Sequence, residues 1–112
     1  MRSDYVVILY QTIAGKQPFE EWLGQLRRRN RVVAETVDSR LARIRDAGHL
    51  GDCRSVGHGV YELRIHLGPG YRVYYLLHGQ NWVVLLAGGE KSGQQRDIEK
   101  AHEYAEDFRR RI

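Results

Sequence analysis

Arg64 and Arg72 stand in two runs, Val60 to His66 and Tyr71 to His78, that alternate as β-strands do. In the first run Glu62, Arg64 and His66 fall on one face, and Tyr61, Leu63 and Ile65 on the other. In the second, Arg72, Tyr74, Leu76 and His78 alternate with Tyr71, Val73, Tyr75 and Leu77. The two arginines share a face if the connection between the strands holds an odd number of residues or contains a bulge. Two guanidinium forks on one sheet face can grip a phosphate bidentately, and tyrosines beside them are stacking platforms for bases. A plainer reading pairs Arg64 with Glu62 or another acid and uses Tyr74 to cover apolar surface, since surface ion pairs are common.

A second group is the stretch Gly88-Gly89-Glu90-Lys91-Ser92-Gly93. Paired glycines let backbone approach a ligand closely, and Lys91 precedes a helix start, where free N–H groups favour an anion. The alternative is a tight turn. It is not a phosphate-binding P-loop, because the Gly-Lys-Ser/Thr order is missing. Lys91 beside Arg64 and Arg72 would complete a three-cation cluster around one phosphate. No metal site is expected: His49, Cys53 and His58 are loosely spaced, with no fourth ligand at zinc-type spacing. Nothing places a base beside Cys53, and the Arg109-Arg110-Arg111 tail reads either as a frayed end or as a contact for RNA.

The elements that must position these residues follow from periodicity. Tyr5 to Tyr10 is a β-branched and aromatic run, read as a buried strand. Pro18 suits a first helical turn, and Phe19, Trp22, Leu23 and Leu26 form one helix face. Asn30 caps a second helix with the face Val33, Val37, Leu41 and Ile44, which stops at Gly48. Cys53 to Val56 is a short edge strand, followed by three antiparallel strands turned at Gly68-Pro69-Gly70 and Gly79-Gln80-Asn81. The last of these, Trp82 to Ala87, is apolar on both faces and so should be a covered central strand. Ser92 and Gln95 are spaced as a capping box for a final helix with the stripe Ile98, Ala101, Ala105 and Phe108. The expected fold is α+β: an antiparallel sheet with an N-terminal helical hairpin and a C-terminal helix packed on it.

At 112 residues the chain is one domain, residues 1–112, without repeats or linkers. Hydrophobic residues at 42% and charged residues at 29% suit a globular protein rather than a disordered one. No apolar run has the length of a membrane span. Met1-Arg2-Ser3-Asp4 does not read as a signal peptide, and a single cysteine fits a reducing compartment, so a cytoplasmic protein without membrane contact is expected. Net charge is +4, and 15 of the 18 basic residues are Arg, which suits phosphate and base recognition, although a GC-rich genome would also favour Arg codons.

Tyr61-Glu62-Leu63-Arg64-Ile65-His66, Gly68-Pro69-Gly70-Tyr71-Arg72-Val73-Tyr74-Tyr75 and Gly88-Gly89-Glu90-Lys91-Ser92, with Gln95, Asp97 and Ile98, resemble the RelE/HigB-type addiction-module killer proteins. The resemblance extends to Phe19-Glu20-Glu21-Trp22-Leu23. It implies a compact antiparallel sheet with packed helices and a ribosome-dependent, metal- and cofactor-independent mRNA endoribonuclease. Such a toxin is silenced by a cognate antitoxin, usually of helix-turn-helix type. The implied chemistry is attack of a ribose 2′-OH on the adjacent phosphate, leaving a cyclic phosphate and a 5′-OH. By position Arg64 and Arg72 would stabilise developing charge, and Lys91 would do so or act as the acid. Tyr61, Tyr71, Tyr74, Glu90 and Ser92 would contact RNA; the base is open among Tyr61, Tyr74 and Glu90. Relatives place His, Tyr or Asp near the end of the last strand, where this chain has Gly88 to Lys91. The alternative is a non-catalytic RNA- or antitoxin-binding domain acting in operon autoregulation.

Overall fold

A computed structural model describes residues 5–112. Met1 to Asp4, weighed above as a leader, lie outside the described residues. The elements are β1 (Val6–Leu9), α1 (Pro18–Arg29), α2 (Arg31–Ala47), β2 (Cys53–Ser55), β3 (Val60–Ile65), β4 (Tyr71–His78), β5 (Trp82–Glu90), a 3₁₀ turn (Lys91–Gly93) and α3 (Gln94–Arg111). The strands lie in the order β1-β5-β4-β3-β2. The α+β class, the hairpin and the C-terminal helix are as expected, with one correction to the sheet. β1 runs parallel to β5, Val6 opposite Trp82 through Leu9 opposite Leu85, so the sheet is mixed. A tight turn forces neighbouring strands antiparallel, but β1 and β5 are separated by most of the chain, which frees them to pair in parallel.

The sheet is covered on both faces. The α1–α2 hairpin packs Phe19, Leu23, Leu26, Val33, Val37 and Ile44 against Leu63, Ile65, Val73, Tyr75, Val83 and Leu85. On the other face α3 brings Ala101 and Ala105 against Val60, Tyr74, Leu76, Val84 and Leu86. Burying each large apolar side chain contributes about 1.5–3 kcal/mol relative to leaving it exposed. The face that carries Glu62, Arg64 and Arg72 is thus mainly a second core. A register shift at Tyr74/Tyr75 turns both Leu86 and Ala87 toward α3, as a β-bulge does.

Asn30 caps α2 as expected, its Oδ1 accepting from Val33 N at 3.2 Å. Gly48 ends that helix in the left-handed region at φ 68°, a conformation glycine adopts freely. The Ser92/Gln95 capping box does not form. Lys91 N–H donates to Gly70 O at 3.1 Å, the 3₁₀ turn intervenes, and α3 begins at Gln94 with no side-chain cap. Nor is the end of α3 frayed. Arg109 donates to His58 O at 2.8 Å, and Asp107 accepts from both Tyr10 Oη and Arg111 at 2.6 Å. No helix among the described residues is long and apolar enough to cross a membrane.

Candidate active site

Arg64 and Arg72 are direct cross-strand partners on β3 and β4, so the five-residue connection, 66–70, has the odd parity the shared face requires. Like charges placed opposite each other repel, and each guanidinium is given an acid. Arg64 Nη2 lies 3.0 Å from Asp52 Oδ1, and Arg72 Nε lies 3.6 Å from Glu62 Oε2. The Nε atoms of both arginines are buried without a hydrogen-bond partner. The two side chains, the turn from His66 to Gly70, and Lys91 line one cleft of about 510 Å³. Lys91 is brought there by its backbone bond to Gly70, which ties the end of β5 to the β3–β4 turn. A second hollow, about 450 Å³, lies between β1 and the hairpin. Its floor is apolar and its charged rim is partly self-paired, Arg27 with Asp38 at 2.7 Å. Three cations converge only in the first.

Beneath the cleft Glu62 is fully buried. Its carboxylate accepts from Arg54 Nε at 3.0 Å, Gln94 Nε2 at 2.8 Å and Tyr74 Oη at 3.1 Å. Burial alone pushes this carboxyl up, but the bonds from Arg54, Gln94 and Tyr74 and the nearby Arg72 charge outweigh it and hold it below the usual range. The Tyr74 phenol is driven above its ordinary range, by burial first and then by Glu62. Asp52 is exposed and bonded to both Arg64 and His66, with His66 Nε2 at 2.5 Å from Oδ2. The bonds from His66 and then Arg64 hold the Asp52 carboxyl below its usual range. Burial raises that of Asp97, with Arg96 opposing.

The remaining sequence candidates are scattered. Tyr61 stacks on Tyr75, ring centroids 5.6 Å apart, and with Tyr71 faces the hairpin, on the side of the sheet away from Arg64 and Arg72. Tyr74 lies on the arginine face but has no exposed surface. Glu90, opposite Tyr71, turns toward Arg29 of α1 at 3.7 Å, and Ser92 is exposed on the 3₁₀ turn. Gly88 and Gly89 do admit a close approach, but from within the molecule. A Cβ on Gly88 would overlap the Trp22 indole, and one on Gly89 the Asp97 carboxylate.

Asp52, Arg54 and Gln94 are not singled out by the sequence, which places His66 on the Arg64 face without giving it a role. For His66 the signal was present, since it shares the parity of Arg64. For Asp52, Arg54 and Gln94 there was none, because side-chain meetings across elements leave no local pattern.

The family described as Phage derived protein Gp49-like (DUF891) matches residues 21–107, from the first turn of α1 nearly to the end of α3. The chain belongs to the Gp49-like family. This family is associated with toxin–antitoxin modules. The Gp49-like chain is also similar to an uncharacterized protein of Haemophilus influenzae, 39% identical over 90 residues, which cover 80% of this chain and 88% of that protein. The family match spans α2 and the strands β2 to β5 that build the cleft.

Proposed function

We propose that this Gp49-like protein is the toxin of a toxin–antitoxin pair, acting in the cytoplasm as a RelE/HigB-type, ribosome-dependent mRNA endoribonuclease. One observation carries the reading: Arg64, Arg72 and Lys91, from three separate strands and turns, converge on a single cleft. Cations fixed around one phosphate stabilise the charge that develops when a ribose 2′-OH attacks it. In this reading Arg64 and Arg72 bind the scissile phosphate. The exposed Lys91 reaches the same phosphate and the leaving oxygen. An antitoxin with an acidic segment would complement the same cations and close the cleft.

The test is induction of the protein in a bacterial host with and without the neighbouring reading frame, followed by mapping of mRNA ends. Expected are growth arrest, new 5′-OH ends within translated messages, rescue by the neighbour, and loss of arrest in Lys91→Ala at equal expression. Arrest-free growth, with a stable complex between the two gene products, would instead favour a non-catalytic partner in operon autoregulation.

A further inference from the structure

We propose that His66 is the group that takes the proton from the attacking 2′-hydroxyl, with Asp52 as its positioning residue; the assignment rests on the endoribonuclease reading above. Of the five histidines, His66 alone lines the cleft of Arg64, Arg72 and Lys91. The others are engaged elsewhere or lie off the cleft. His78 packs against Trp82 and Phe108, His58 stacks on His102, and His102 Nε2 bonds to Val56 O.

The geometry around His66 sets its tautomer. Asp52 Oδ2 sits 2.5 Å from His66 Nε2, while Oδ1 accepts from Arg64. An ionised carboxylate only accepts hydrogen bonds, so Nε2 carries the proton and donates it to Asp52. Nδ1 is then the nitrogen with a lone pair, on a side chain that is 72% exposed at the mouth of the cleft. An imidazole oriented by a carboxylate on one nitrogen, with a free lone pair on the other, is the arrangement that general-base catalysis needs. Asp52 also stabilises the imidazolium once it forms, and it couples His66 to Arg64, so base and phosphate grip are positioned by one side chain.

The step balances within the cleft. The 2′-oxygen forms its bond to phosphorus as its proton passes to His66 Nδ1. The bond from phosphorus to the 5′-oxygen breaks with its electron pair on that oxygen, which takes a proton from the Lys91 ammonium. Arg64 and Arg72 hold the charge on the non-bridging oxygens. Protons return to Lys91 and leave His66 through solvent.

The experiment is single-turnover cleavage of ribosome-bound mRNA by wild type, His66→Ala and Asp52→Asn. Loss of a general base lowers a rate by about 100- to 10,000-fold. His66→Ala is expected to fall in that range at unchanged substrate affinity and melting temperature, and to be partly restored by added imidazole. Asp52→Asn should lower the rate without responding to imidazole. Wild-type cleavage by His66→Ala, or a deficit that imidazole does not restore, overturns the assignment while leaving the endoribonuclease reading intact. A wild-type protein that cuts no RNA overturns both, and is told apart by that control.

Discussion

At Glu62 the protein keeps a carboxylate ionised where no water reaches it. Burying an unpaired charge is costly, and here three hydrogen bonds and a second guanidinium offset the cost. Because the folded carboxyl lies below its ordinary 4.5, the ionised form adds stability at pH above that value. The contribution is lost as pH falls from there through the lower folded value. Glu62→Gln should therefore cost about 1–3 kcal/mol at neutral pH, and the gap between variant and wild type should narrow as pH falls below 4.5. Urea unfolding at a series of pH values measures it, and a gap that stays constant with pH would mean Glu62 is not the linked group. The same contacts make Arg72→Ala an impure probe of catalysis, since it also strips a cation from Glu62. Lys91 is exposed and its removal leaves no buried partner behind, which is why the toxicity test rests on it. Of the three cations, Arg72 is the one whose removal should cost the fold most, because its partner Glu62 is fully buried.

Helices α1 and α3 clamp the end of β5 from opposite sides, through Trp22 on Gly88 and Asp97 on Gly89. That clamp fixes where β5 ends and so where Lys91 emerges. Gly88→Ala should destabilise the fold by about 1–3 kcal/mol through overpacking. Combining it with Trp22→Leu should recover part of the loss, because the two residues share one space. Thermal melts of the two single variants and the double decide it, and strictly additive losses would show that the indole is not what the new methyl meets. The clamp also explains the loop's composition without a ligand: glycine is needed there because two helices converge on one strand.

For the whole molecule, a net charge of +4 and one cleft with three converging cations give RNA affinity a definite salt dependence. Each single-stranded phosphate neutralised contributes about −0.7 to the slope of log affinity against log salt, so three contacts predict a slope of about −2. Titration of a labelled oligoribonucleotide at several salt concentrations, with Lys91→Ala beside wild type, measures it. The variant should lose roughly one contact's share of the slope. An unchanged slope in the variant would place the phosphate contacts elsewhere, for instance along the arginines at the junction of α1 and α2.

Periodicity and turn residues were enough to read the hairpin, the central strand β5, the caps at Asn30 and Gly48, and the shared face of Arg64 and Arg72. Each of these depends on neighbours within a few positions, where side-chain direction is set by the backbone repeat. What tertiary structure alone decided is longer in range. The parallel β1–β5 pairing joins strands far apart in the chain, and α3 covers the face that carries Arg64 and Arg72 because Ala101 and Ala105 let it come close. Tyr61 and Tyr71 went to the hairpin side and Tyr74 inside. Asp52 reaches Arg64 and His66 because β2 pairs with β3. No spacing encodes a carboxylate meeting an imidazole from the next strand; the sheet must form before the two are neighbours.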